Sequence, residues 1–179
     1  MGFIISNTDT FSLSELYLNY NIIIYNIYSV VYFLYFFQLF RKSLRNKTLQ
    51  KRVLLGIYLF ILLSIINPFF ENIFEAPQII TYTFGSVFLI LILLLYFEKN
   101  NWKQISLFQK SSILFWIGLG LLIFNLGYLP IKLSRYFYRD FSMETYIWLR
   151  RVQFFLIVIM YSCFIIGFIK MKKRIKPES

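Results

Sequence analysis

Hydrophobic residues follow one another along this chain in long runs, which short polar segments separate. Five runs have about 20 residues each, the length that an α-helix needs to cross the hydrocarbon core of a bilayer. The pattern therefore predicts about five transmembrane segments, at residues 18–40, 53–70, 78–97, 113–131 and 147–169.

The same runs decide between the two structures that satisfy backbone hydrogen bonds within lipid, the helix and the closed barrel. Barrel strands alternate apolar and polar side chains with a period of two. Residues 87–95 (VFLILILLL) contain no polar side chain. The predicted fold class is therefore all-α: a polytopic transmembrane helical bundle of about five spans.

Composition agrees with a lipid environment. Of the 179 residues, 59% are hydrophobic and 15% are charged, whereas soluble domains carry about 25% charged residues. So few polar side chains cannot cover the surface of a soluble domain of this length. Lipid is the solvent that this composition suits.

Lysine and arginine residues are distributed unevenly among the segments that connect the spans. Residues 41–52, 98–110 and 170–179 together contain fourteen of them, and the segments on the opposite side contain three, all within residues 132–145. Because basic connecting segments remain in the cytoplasm, we expect an external N-terminus and a cytoplasmic C-terminus.

This topology divides the chain into three parts: a short external tail at residues 1–17, a helical bundle at 18–173 and a basic cytoplasmic tail at 174–179. The net charge is +11, and most of it lies beside the spans. Basic groups in that position suit anionic lipid head groups. We therefore expect contact with lipid and no binding of nucleic acid.

Several reactive constellations are missing from the sequence. There is no histidine, Cys163 is the only cysteine, and the two aspartates, Asp9 and Asp140, lie outside the predicted spans. We therefore predict no catalytic residue, cofactor site or metal site, and no enzymatic activity. The first four predicted spans also lack Asp, Glu and Lys in their interior, which disfavours ion-coupled transport because such transport usually needs a charged group at membrane depth.

Polar and small residues within the spans are candidate contacts. Asn125 lies inside the fourth span, where an amide seeks a partner across a helix interface, and Asn67 precedes Pro68 at the end of the second span. Gly120 and Gly127 are seven residues apart and therefore share one helix face. We expect that face to allow close approach of another helix, from this chain or from a second copy.

Arg150 and Arg151 lie near the start of the fifth span. In one interpretation they form a cation pair that faces the bundle and binds a ligand or a lipid. In the other, which we favour, they lie at the outer interface, where long side chains reach the head groups. Glu144 is seven residues before Arg151, so the two could form an ion pair on one helix face.

Two segments carry a resemblance to a known group of proteins. Residues 115–124 (FWIGLGLLIF), followed by Gly127, and residues 161–170 (YSCFIIGFIK) resemble small polytopic membrane proteins of Bacteroidota. Some of those proteins are similar to the membrane portion of seven-helix sensor histidine kinases. The resemblance implies a bacterial inner membrane location and a sensory or scaffold role. With about five spans and no kinase domain here, it also implies that a signal passes to a separate partner.

Two functional hypotheses follow. The first is a non-enzymatic membrane interaction protein, acting as a subunit, scaffold or sensor module of a larger assembly that includes a protein partner or further copies of the chain. The alternative is a homo-oligomeric pore or permeability effector. Its lining would have to come from the few polar residues of the spans, which are Asn21, Asn26, Ser64, Asn67, Ser112 and Asn125.

Overall fold

A computed structural model describes residues 2–74, 76–99, 113–137 and 142–175 of the protein. These residues form five α-helices and one short 3-10 helix, and the described part contains no strand. The helices are α1 (Gly2–Ser43), α2 (Lys47–Ile66), α3 (Ile79–Lys99), α4 (Ile113–Phe137) and α5 (Met143–Ile175), and the 3-10 helix is Asn67–Phe69.

Each of the five helices contains a segment long and apolar enough to cross a membrane. The prediction of an all-α transmembrane bundle with about five spans is therefore confirmed. The five segments, found among the described residues, are Tyr20–Ser43, Lys47–Phe69, Ile79–Glu98, Ile113–Phe137 and Met143–Met171.

Local sequence signals set both ends of α2. Asn46 caps its first turn, because the side-chain Oδ1 accepts hydrogen bonds from the backbone N–H groups of Thr48 at 2.8 Å and Leu49 at 3.4 Å. The helix ends at Ile66, two residues before Pro68. This confirms that the α-helix stops before its proline. Asn67 itself keeps helical angles (φ −57°, ψ −35°) and begins the 3-10 helix, so the cause is that Pro68 has no N–H for the next α-helical hydrogen bond.

The helices pack as a bundle in which α3 is the most buried span. The extensive contacts are α4 with α5, α1 with α3, α3 with α4, and α2 with both α1 and α3. Helices α1 and α5 therefore flank α3 and α4 without being a main contact pair themselves. We call the end of the bundle formed by residues 20–26, 67–74, 76–80, 128–137 and 142–153 the Lys132 end.

Aromatic rings fill the interior between α1, α2 and α3. The Phe37 ring meets that of Phe60 at a centroid distance of 5.2 Å and that of Phe88 at 4.8 Å, both in edge-to-face geometry. Gly56 and Gly85 make room for this packing, because a Cβ atom at either position would overlap a phenylalanine ring. The core is thus built of rings from α1, α2 and α3 against glycines of α2 and α3.

The structure corrects the predicted end of the fourth span. Helix α4 continues to Phe137, so Lys132 lies within the candidate membrane span and is only 7% exposed. The prediction that the first four spans contain no buried Asp, Glu or Lys is therefore wrong. The charge of Lys132 predicts a position in an external loop, whereas the rings of Tyr25 in α1 and Tyr82 in α3 surround it.

The tail boundaries expected from the sequence fall inside helices. Helix α1 begins at Gly2 and runs without interruption into its membrane segment, which starts at Tyr20. Helix α5 ends at Ile175, and residues 176–179 lie outside the described part. On which side of the membrane each tail lies stays a prediction.

Candidate functional site

Asn125 joins α4 to α3 within one chain. The residue is fully buried, its Nδ2 donates to the backbone oxygen of Leu121 at 2.8 Å, and its Oδ1 accepts from the hydroxyl of Ser86 at 2.8 Å. Both polar ends of the amide are therefore occupied by groups of the same molecule. Asn125 acts here as a contact between helices.

Asn67 closes the turn that follows α2. It is 1% exposed, and its Nδ2 donates to Oε2 of Glu71 at 2.8 Å. Its backbone oxygen accepts from the N–H groups of Phe70 and Glu71, each at 2.9 Å. This residue positions the acidic group of Glu71 and is itself inaccessible to a ligand.

Gly120 and Gly127 both face α5. A Cβ atom at Gly120 would lie 2.9 Å from the backbone oxygen of Met160, and one at Gly127 would lie 2.7 Å from Cδ1 of Leu156. The surface that the sequence assigns to helix packing is therefore occupied by α5 of the same chain.

Arg150 and Arg151 are exposed on α5. Neither forms a hydrogen bond or an ion pair within the described part of the chain, and neither do they pair with the exposed Glu144. The structure thus places both arginines on the outer surface of the bundle, away from its interior.

Lys132 is the charged group that sequence reasoning missed. Its Nζ donates a hydrogen bond to the hydroxyl of Tyr25 at 2.7 Å. The same Nζ lies 3.7 Å from the centroid of the Tyr82 ring and 4.7 Å from that of Tyr25. A charge at membrane depth is costly, and aromatic faces are one of the few environments that offset this cost. Three helices therefore meet at one buried cation.

A sequence signal for this position exists. Lys132 follows Asn125 by seven residues and Tyr128 by four, so all three lie along one face of α4. Asn125 is fully buried, and the same face continues for two more turns to Lys132. Helical periodicity carried past the end of the apolar run would have indicated a buried lysine.

Arg135 places a second cation one turn from Lys132. Its Nη1 donates to Oε1 of Gln153 at 3.1 Å, and its guanidinium lies 5.4 Å from the centroid of the Tyr146 ring, so it connects α4 with α5. Its Nε and Nη2 are out of contact with solvent and have no hydrogen-bond partner in the described part. Each such unmet donor costs roughly 1–3 kcal/mol.

Glu71 supplies the nearest negative charge. Its Oε2 accepts from Nδ2 of Asn67 at 2.8 Å and from the backbone N–H of Ile80 at 3.3 Å. It does not approach Lys132 or Arg135 closely enough for an ion pair among the described residues. Asn67 and Ile80, which lie on either side of the connector between α2 and α3, therefore hold the carboxylate, and the two cations do not.

Asn26 holds this connector against α1. Its Nδ2 donates to the backbone oxygens of Ile73 at 3.1 Å and Ala76 at 3.2 Å, and its Oδ1 accepts from the N–H of Gln78 at 3.0 Å. All of its side-chain hydrogen-bonding groups are thus used by one loop. This amide therefore ties Ile73, Ala76 and Gln78 to α1.

These groups surround a cavity of about 540 Å³ at the Lys132 end, which we call the charged cavity. Its size falls within the usual range for small-molecule sites, roughly 300–1,000 Å³. Two cations and one anion lie in its wall, so its net charge is positive. Its lining residues are Tyr25, Glu71, Asn72, Ala76, Pro77, Ile79, Tyr128, Lys132, Arg135 and Tyr136.

A second cavity of about 210 Å³ adjoins the first, and we call it the tyrosine cavity. The two share Tyr25 and Tyr128 as common wall residues. Its lining comes from α1, α3, α4 and α5 and consists of Tyr25, Tyr28, Ser29, Tyr32, Tyr82, Phe124, Tyr128, Gln153, Ile157, Met160 and Tyr161.

The arrangement suits the binding of an anion more than that of a metal ion. No group of three or more His, Cys, Asp and Glu side chains capable of holding a metal occurs in the described part of the chain. The charged cavity instead offers one ammonium group, one guanidinium group and several phenol rings.

The described structure defines a class, a multi-pass membrane protein with an all-helical bundle. Comparison of the chain with protein-family models, with curated proteins and with solved structures gives no match. The resemblance to sensor histidine kinases and to proteins of Bacteroidota stays a prediction.

Proposed function

We propose that this protein is a non-enzymatic binding module within the membrane, acting as a sensory or scaffold subunit of a larger assembly. The observation that carries this proposal is the charged cavity, with Lys132 buried among Tyr25 and Tyr82 and with Arg135 beside it. A cation is kept at membrane depth at considerable cost, and such groups are usually functional.

The position of the cavity supports a sensory role. Its wall takes Tyr25 from α1, Glu71 from the connector, Ile79 from α3 and Lys132 from α4. Arg135 extends the contact to α5 through Gln153. A ligand that binds differently to two arrangements of these helices shifts the equilibrium between them. Binding of a ligand in the cavity can therefore change how the helices that line it are arranged.

Binding rather than catalysis fits the residues that line the cavity. The chain has no histidine and a single cysteine, Cys163, which lies in α5 outside both cavity linings. Lys132 is engaged by a hydroxyl and two rings. The other polar side chains of the charged cavity, among them Arg135, Tyr128 and Tyr136, suit the binding of a charged ligand.

Four of the six polar residues that would have to line a pore are used elsewhere, and a fifth, Asn21, is exposed on α1. Asn26, Asn67 and Asn125 are buried and hydrogen-bonded within the chain, and Ser64 donates to the backbone oxygen of Phe60 in its own helix. Ser112 lies outside the described residues. This distribution favours the binding module over the pore.

We further propose that the Lys132 end faces the exterior of the bacterial cytoplasmic membrane. Fourteen basic residues in the segments at the opposite end, against five within residues 132–151, support this orientation. The test uses a Cys163→Ser background with either Ser142→Cys or Asn46→Cys and a membrane-impermeant maleimide on intact cells. Ser142→Cys should be labelled, and Asn46→Cys should be labelled only after permeabilisation. The reverse pattern would contradict the orientation.

The subunit role is tested by purifying the full chain from its native membrane in mild detergent and measuring the mass of the complex. We expect a stoichiometric complex with a different membrane or cytoplasmic protein, identified by mass spectrometry. Recovery of a lone monomer under several mild conditions would contradict the proposal. Recovery of a complex of identical copies would also contradict it, and conductance measurements would then test the pore.

A further inference from the structure

The charge of the cavity sets the charge of its ligand. Lys132 and Arg135 contribute two positive groups to the wall, and Glu71 contributes one negative group. Glu71 is already held by hydrogen bonds from Asn67 and from the backbone of Ile80. With Lys132 protonated, one positive charge remains uncompensated among these groups, and a ligand with a single negative charge neutralises it.

Hydrogen-bonding groups in the wall define the shape of that negative group. Nε and Nη2 of Arg135 lie on one edge of the planar guanidinium and have no partner in the described part, while Nη1 is used by Gln153. A shift of the guanidinium toward the cavity would present this edge, which matches the two oxygens of a carboxylate, to a ligand. Lys132 has three N–H donors and gives one to Tyr25, so it retains donors for the carboxylate of a ligand.

The tyrosine cavity sets the shape of the rest of the ligand. It extends from Tyr25 to Tyr32 along α1, about 10 Å deeper into the bundle at 1.5 Å per residue. Its 210 Å³ is below the roughly 300–1,000 Å³ of a complete small-molecule site, so it accommodates one narrow group. Because α1 and α5 are not a main contact pair, such a group can enter from the lipid between them.

Resting on the proposed function of a binding module, we propose that the ligand is a single-chain amphiphilic carboxylate. Its carboxylate lies in the charged cavity with Lys132 and Arg135, and its apolar chain lies in the tyrosine cavity. The two adjoining cavities thus form one elongated site, with the charged part near the membrane surface and the apolar part toward the membrane interior.

The experiment measures binding of radiolabelled laurate to the full-length protein in phosphatidylcholine nanodiscs, with empty nanodiscs as the background. We expect saturable binding. Unlabelled laurate should compete at least tenfold better than dodecanol, which has the chain without the charge. Acetate, which has the charge without the chain, should not compete at the same concentrations. Phosphatidylglycerol in the nanodisc, an anion with two chains, should leave laurate binding unchanged.

Variants test each half of the site. Lys132→Met removes the cation at similar length, and Ile157→Trp fills the tyrosine cavity, so each should weaken laurate binding at least tenfold. Arg150→Gln removes an exposed arginine outside the site and should change binding less than twofold. Circular dichroism and gel filtration verify that each variant is folded. Arg135→Gln replaces Lys132→Met if the latter does not fold.

The outcomes separate this inference from the proposed function. Equal laurate binding by the native protein and by Lys132→Met, or equal competition by dodecanol, would overturn the carboxylate assignment. If laurate does not bind but another small molecule copurifies in equimolar amount and is lost in Lys132→Met, the ligand class is overturned and the binding module stands. If laurate does not bind and no small molecule copurifies, both are overturned.

Discussion

The ammonium group of Lys132 lies 2.7 Å from the hydroxyl oxygen of Tyr25 and 3.7 Å from the centroid of the Tyr82 ring. These three residues belong to α4, α1 and α3, respectively. A single cation therefore holds together three helices at one end of the bundle. The contact also stabilises a charge that the membrane would otherwise disfavour.

This contact predicts energetic coupling between Lys132 and Tyr25. Tyr25→Phe removes the acceptor and should lower the free energy of unfolding by about 1–2 kcal/mol, because hydrogen bonds to charged groups are stronger than neutral ones. In a Lys132→Met background the same change should have little effect, which a double-mutant cycle measures as coupling. Unfolding in mixed micelles, followed by circular dichroism, provides the measurement.

Tyr28→Phe is the matched control for this cycle. Tyr28 is exposed on the same helix and its hydroxyl has no hydrogen bond in the described part of the chain. Its substitution should change stability by less than about 0.5 kcal/mol in either background. Additive effects of Tyr25→Phe and Lys132→Met would show that the contact contributes nothing.

The hydrogen bond between Ser86 and Asn125 predicts a second coupling. Ser86→Ala leaves Oδ1 of Asn125 without its donor inside the bundle and should cost about 1 kcal/mol, within the range for contacts between membrane helices. The loss should disappear in an Asn125→Leu background. Ser64→Ala is the control, because Ser64 donates only to its own helix. An equal cost for Ser64→Ala would contradict the assignment.

The two glycines of α4 should differ in their tolerance of a methyl group. Gly120→Ala places Cβ 2.9 Å from the backbone oxygen of Met160, which cannot move without shifting α5. We expect a cost of about 1–3 kcal/mol, typical of overpacking. Gly127→Ala meets the flexible end of Leu156 and should cost less than about 1 kcal/mol. Equal costs in the same unfolding assay would contradict this packing.

The side chain of Asn26 should control the mobility of the connector. Asn26→Ala removes three hydrogen bonds, two to the oxygens of Ile73 and Ala76 and one from the N–H of Gln78. Amide hydrogen exchange at Ile73, Phe74, Ala76 and Gln78 should accelerate at least tenfold, which corresponds to about 1.4 kcal/mol. Asn21→Ala, at an exposed position on the same helix, should leave that exchange unchanged.

The number of spans and the helical class of the fold follow from the amino-acid sequence. A bilayer demands about 20 consecutive apolar residues for each crossing helix, and this requirement leaves a direct pattern in the chain. The end of α2 at Ile66 also has a local cause, because Pro68 has no N–H with which to continue the α-helical hydrogen bonds. These features depend on residues close together in sequence, so the sequence alone was sufficient.

Which polar residues contact one another depends on how the helices pack. Lys132 and Tyr25 are 107 positions apart, and Ser86 and Asn125 are 39 apart, so no local pattern reveals either pair. The sequence drew attention to Arg150 and Arg151 as charges within a span, yet both are exposed, whereas Lys132 is buried. A charged residue near the end of a hydrophobic run can be exposed or can line a cavity. Which of the two occurs depends on whether aromatic rings from other helices surround it, and helix packing brings those rings there.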